Sequence, residues 1–159
     1  MPPENGTVAD AIIAIEFAIQ AKKAFSSTRG ANVRVLSNSW SGSGFSQALL
    51  DEINKAHLNG MLFVASAGND GHNNVSQPTY PASYKAANLI AVGATDNQDH
   101  PAAFSNYGST VALAAPGVGI QSTTIGNTYA YMSGRRWPYR TFQGQPHSCS
   151  RNVHLTPPA

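Results

Sequence analysis

Apolar positions recur along this chain in two rhythms, and each predicts a kind of element. From Val8 to Phe25 they return every three or four residues, with Ile12, Ile15 and Ile19 on one stripe, which predicts a helix with one buried face. Thr7 stands before it and Asp10 follows in capping-box register, where each side chain satisfies the other's backbone N–H. Gly30 closes a loop, and Val33 to Trp40 (VRVLSNSW) reads as a strand. A Gly/Ser turn leads to a second helix from about Ser46 to Leu58, with Leu49, Leu50, Ile53 and Ala56 apolar, and Gly60 ends it. Met61 to Ala65 (MLFVA) is a continuous apolar run, the pattern of a strand buried on both faces. A polar loop over residues 70–88 holds Pro78 and Pro81, and Leu89–Ala94 and Val111–Ala115 are further strand candidates. Helix, strand, helix, strand, strand implies an α/β layer built on a parallel sheet. There is no internal repeat.

Composition narrows the class. An apolar fraction of 42% over 159 residues suffices for one domain with its own core. No apolar run has the length of a membrane span, and Met1-Pro2-Pro3-Glu4 is not a signal-peptide opening. Cys149 is the only cysteine, which excludes an intrachain disulfide. The formal charge of +2 hides a division. Residues 1–134 carry six basic residues against all eight acids, a net of −2, while Arg135, Arg136, Arg140 and Arg151 give residues 135–159 a net of +4. A body of negative sign without a basic helix argues against nucleic acid as a partner. The sequons at Asn5 and Asn74 read as chance.

Three constellations could carry chemistry. The buried-type strand Met61–Ala65 runs into Ser66-Ala67-Gly68-Asn69-Asp70, and a turn there lies beyond the carboxyl end of the sheet, where α/β proteins place their sites. An Asn at that point can aim its amide at a developing oxyanion, or simply make the turn. Asn38-Ser39-Trp40-Ser41-Gly42-Ser43-Gly44 could begin a dinucleotide fingerprint, but the third glycine would fall on Gln47. The same stretch could present an extended edge whose backbone pairs with a peptide, with Trp40 either on that edge or in the core. The third set is Asn88–Asp96, Ala103–Gly108 and Ala114–Val118, each a strand with a turn when taken singly.

Together, in this order and spacing, these segments resemble the subtilisin-like serine proteases, the subtilase or peptidase S8 family. The resemblance runs from about Met1 to Gly134 and includes Tyr80-Pro81-Ala82, Ile90-Ala91-Val92-Gly93-Ala94, Phe104-Ser105-Asn106-Tyr107-Gly108, Ala115-Pro116-Gly117, Ser122-Thr123 and Tyr129–Gly134. It implies an α/β fold of three layers, a subtilisin-like parallel sheet, here incomplete at both ends. In that family a Ser attacks the scissile carbonyl, a His takes its proton, an Asp holds the His, and an Asn amide with a backbone N–H stabilises the oxyanion. Carried over, the resemblance makes Asn69 the oxyanion donor. Ser39, Trp40 and Ser41 become the strand that pairs with a peptide or protein substrate, and Ser66, Ala67 and Gly68 the facing wall. Ser41 departs from the family's usual Gly. No metal and no cofactor is assigned, and Asp96, near a weak cation site of some subtilases, is taken as a solvated turn residue. Full-length relatives are commonly secreted; the chain itself shows no address.

At Gly134 the resemblance breaks. Where the family continues Ser-Gly-Thr-Ser-Met-Ala, this chain has Ser133-Gly134-Arg135-Arg136-Trp137-Pro138. Codons read one base out of frame from Gly134 onward allow Thr-Ser-Met-Ala-Leu-Pro-His-Val-Ser-Gly-Ala-Ala-Ala-Leu-Val-Leu, which is the nucleophile motif and the start of its helix. Residues 135–159 therefore read as an out-of-frame tail, with Pro138, Pro146, Pro157 and Pro158 against regular structure. His147, Cys149 and His154 then carry no selected chemistry. No Asp-Thr-Gly or His-Gly-Thr-His segment occurs either. The expectation is residues 1–134 as part of a protease domain, inactive alone because the triad Asp, His and Ser are absent. The alternatives are a nonenzymatic peptide-binding module or one piece of a split protease.

Overall fold

The computed structural model describes residues 6–26, 32–124 and 126–134. The expected tail, 135–159, and Asn5 lie outside the described residues.

Among the described residues, two helices and four parallel strands form the body. Helix α1 (Val8–Ser26) starts at the anticipated cap. Asp10 accepts from Thr7 N at 2.8 Å, and Asp10 N donates to Thr7 Oγ1 at 3.2 Å. Strand β1 (Val35–Asn38) is shorter at both ends than the stretch Val33–Trp40 predicts. Helix α2 (Gln47–Leu58) begins at Ser46, whose side chain accepts from Leu49 N. Tyr84 secures that start from outside: its hydroxyl donates to Ser46 O at 3.0 Å and accepts from Ser46 N at 3.1 Å. Strands β2 (Leu62–Ser66), β3 (Leu89–Thr95) and β4 (Leu113–Pro116) complete a sheet ordered β1-β2-β3-β4, parallel throughout.

The stripe on α1 is the one the sequence predicts. Ile15 and Ile19 are buried and meet Leu49, Ile53 and Ala56 of α2 over Phe63 and Ala65 of β2. Burying such side chains contributes about 1.5–3 kcal/mol each. The expectation for Met61–Ala65 needs correcting. Along β2 burial alternates, with Phe63 and Ala65 sealed and Leu62 and Val64 only half covered. The helices cover one face of the sheet; the described residues leave the other partly open, so a run of uniform hydrophobicity acquires a period of two.

A further element was not anticipated. Strands β5 (Ile120–Thr124) and β6 (Thr128–Met132) form an antiparallel hairpin. Gly126 and Asn127 both have positive φ at its tip, and the Gly-Asn pair was the available signal. The hairpin is tied to the end of β4: Gly134 N donates to Gly117 O at 2.8 Å, and Gly119 N to Ser133 Oγ at 2.9 Å. The segment 103–108, read as a strand with a turn, makes turns and a single bridge between Asn73 and Tyr107.

Candidate functional site

All four parallel strands deliver their carboxyl ends to one edge. From β2 the chain passes through Ala67 and Gly68, both buried, into Asn69 and Asp70. Gly68 is required there twice over. Its φ of +114° is open to glycine, and a Cβ would strike the Asn106 side chain. Gly134, after β6, arrives at the same turn. A Cβ built on it would stand 2.9 Å from Asn69 Nδ2 and 2.7 Å from Phe104 Cε2. The end of the described chain and the Asn69 amide are thus in contact.

On the opposite side lies the stretch after β1. Asn38 Nδ2 donates to Leu36 O and Val64 O, and Asn38 Oδ1 accepts from Trp40 Nε1 at 3.2 Å. Trp40 packs half-buried against the core. Gly42 exchanges two backbone hydrogen bonds with Tyr80, each 2.8 Å. Phe45, Tyr80 and Tyr84 stack edge-on and tilted with ring centroids 4.6 to 5.6 Å apart, which holds the loop after Gly42 against the segment 80–84. Between this edge and the Asn69 turn opens a cavity of about 460 Å³, lined by Ser41, Gly42, Asp70, His72 and Thr79 among others.

Under the turn sits a buried polar network. Asn106, 1% exposed, donates through Nδ2 to Asn74 Oδ1 at 3.0 Å and Thr79 Oγ1 at 3.1 Å. Its Oδ1 accepts from Asp70 N at 2.8 Å. Asn74 in turn donates to Ala67 O at 2.8 Å, and at 1% exposure it is no glycosylation acceptor in this fold. Each buried polar group here has a partner, as burial demands.

A model of the Subtilase family matches residues 2–142. The chain belongs to the subtilase family. It is 46% identical over 94 residues to alkaline elastase YaB of Bacillus sp. (strain YaB), covering 58% of this chain and 24% of that protein. It is 51% identical over 86 residues to a thermophilic serine proteinase of Bacillus sp. (strain AK1), covering 54% and 20%. To thermitase of Thermoactinomyces vulgaris it is 44% identical over 101 residues, covering 64% and 34%. The crystal structure of a cold adapted subtilisin-like serine proteinase superposes with a TM-score of 0.68 at 30% identity, covering 82% of this chain and 43% of that one. The chain thus spans between a fifth and a third of these curated relatives. Its α/β parallel sheet is subtilisin-like.

Within this subtilase the residues singled out from sequence fall into two groups, one after β1 and one at the end of β2, and of them only Ser41 lines the cavity. Ser39 is exposed just past β1, Trp40 is half-buried, and Ser41 lines the cavity. Ser66 ends β2, its hydroxyl accepting from Gly68 N at 3.4 Å, and Asn69 stands half-exposed beyond it. Asp96 lies apart, in the turn after β3, where Oδ1 accepts from Gln98 N and His100 N at 2.8 and 2.9 Å. Those backbone donors, Gln98 first, hold its carboxyl below the usual carboxylate range despite partial desolvation. Sequence reading missed Asn74, Thr79 and Asn106 as parts of the site. An Asn in a polar loop carries no sign of burial; only the packing of residues 68–79 against 103–108 reveals it.

Proposed function

We propose that this chain contributes the peptide-binding edge and the oxyanion donor of a subtilisin-like serine endopeptidase, and that alone it binds peptides without cutting them. The observation that carries this reading is the Asn69 amide at the carboxyl end of the sheet, beside Gly134 and next to Asp70, which lines a cavity with Ser41 and Gly42. Gly134 is where the family's nucleophile motif would begin. An amide placed there donates to an oxyanion formed on a carbonyl attacked from that motif. The extended Ser39–Ser41 backbone would pair with the peptide, Ser66, Ala67 and Gly68 would form the facing wall, and the cavity would take a side chain. Cleavage needs a Ser, a His and an Asp in a hydrogen-bonded relay. The 159 residues contain no Asp-Thr-Gly or His-Gly-Thr-His segment, and Arg135-Arg136 stands where Thr-Ser would follow Gly134. An out-of-frame continuation over residues 135–159 accounts for that break, and nucleotide sequencing across Gly134 tests it.

The functional test is a calorimetric titration of the 159-residue chain with extended peptides, followed by mass spectrometry of the mixture. Saturable binding with intact peptide is expected, together with no labelling by a serine-directed fluorophosphonate. Cleavage or labelling above a heat-denatured control would overturn the inactive reading; absence of binding would overturn the peptide-binding one.

A further inference from the structure

We propose that Asn106 is a positioning residue that holds the Asn69 turn and couples it to the wall of the neighbouring cavity; its functional meaning rests on the oxyanion role proposed for Asn69. Asn106 grips the turn on both sides of Asn69. Its own N–H donates to Gly68 O at 3.1 Å, and its Oδ1 accepts from Asp70 N at 2.8 Å and from His72 N at 3.4 Å. Through Asn74 the grip extends to Ala67 O. The two residues between β2 and Asn69, Ala67 and Gly68, therefore have little freedom of their own.

The other end of the same amide faces the cavity. Nδ2 lies 3.0 Å from Asn74 Oδ1, 3.1 Å from Thr79 Oγ1 and 3.2 Å from His72 Nε2. Thr79 Oγ1 and His72 Nε2 are themselves 3.0 Å apart, and both residues line the cavity. Nδ2 has two hydrogens and three neighbours to share them. Any change at Thr79 or His72, such as contact with a side chain in the cavity, redistributes those two hydrogens. Asn106 is rigidly packed: Gly68 leaves no space beside Nδ2 for even a methyl group. A shift of its amide is therefore passed to Gly68 and Asp70, and so to Asn69.

The test is a double-mutant cycle read by nuclear magnetic resonance on the 15N-labelled 159-residue chain. Thr79→Val keeps the shape of the side chain and removes Oγ1. It is expected to move the Asn69 side-chain amide resonances and to speed hydrogen exchange at the Asp70 amide roughly tenfold, the effect of weakening one hydrogen bond. In an Asn106→Ala background Thr79→Val should add nothing further. If Asn106→Ala unfolds the chain, seen as lost protection at Phe63 and Ile53, Asn106→Asp decides. That variant keeps the acceptor, so Asp70 should stay protected while the Asn69 resonances move. Unmoved Asn69 resonances, or an equal response to Thr79→Val with and without Asn106, would overturn the coupling. No peptide takes part in this readout. A failure to bind peptide therefore counts against the proposed function alone.

Discussion

Gly134 and Asn69 are in contact: a Cβ on Gly134 would stand 2.9 Å from Asn69 Nδ2, and the Gly134 backbone holds a left-handed φ of +62°. Gly119 has nearly the same φ, +64°, with open space around it. The pair separates two effects. Gly119→Ala should cost about 1–2 kcal/mol, the penalty for a side chain in left-handed backbone. Gly134→Ala should cost more than this and displace the Asn69 amide. Urea unfolding of both variants, with the Asn69 side-chain resonances, measures the difference; equal costs would mean that Gly134 does not touch Asn69.

The two faces of β2 should respond differently to truncation. Phe63 is fully buried beneath α1 and α2, so Phe63→Ala should cost about 3–5 kcal/mol, a large part of a typical net stability of about 5–15. Leu62 lies on the half-open face, and Leu62→Ala should cost clearly less. Denaturant midpoints with an unchanged m-value would establish the ranking.

The outer side of α1 carries exposed apolar surface. Ile13 is 67% and Phe17 73% exposed, one helical turn apart. Replacing both with Lys removes no buried contact and should change stability by no more than about 0.5 kcal/mol per site. It should lower self-association, since contiguous exposed apolar groups promote it. Sedimentation velocity of the two proteins at equal concentration checks this.

Acid should act on the α1–α2 junction in two opposed steps. Glu16 bonds to Lys55 and, at 2.6 Å, to Gln20; the Lys55 ammonium first, then Gln20, draws its carboxyl down to about 2. Its folded pKa is below the unfolded value, so its stabilisation is complete above about pH 4.5 and is lost as pH falls toward about 2. Glu52 is shifted the other way, first by burial and then by sharing a proton with Glu16. The folded state therefore holds that proton more tightly, and Glu52 gives stability back as pH falls from neutral. Thermal melts from pH 7 to pH 2 should pass through a shallow maximum in mildly acidic solution. Glu52→Gln should remove the rise on its neutral side, and Glu16→Gln the fall on its acid side.

The sequence by itself determined the elements that depend on neighbours in the chain. The α1 stripe of Ile15 and Ile19, the Thr7–Asp10 cap, the Ser46 start of α2 and the parallel order of the strands were all legible. Periodicity and caps act over one or two turns of backbone, and the chain writes them locally. The place of the Asn69 turn was legible too, because a small-residue turn after a buried strand lies beyond the carboxyl end of an α/β sheet; the oxyanion role of Asn69 was implied only by the family resemblance. Tertiary structure alone decided the rest. Which face of Met61–Ala65 is sealed depends on which helices lie over it. That Asn106 is buried depends on the loop 70–79 folding across the segment 103–108, far apart in sequence. That Gly134 meets Asn69 depends on a hairpin carrying the chain back to the end of β4. Each of these is a contact between distant residues, and a buried amide or a glycine shows its partner only once the partner has been packed against it.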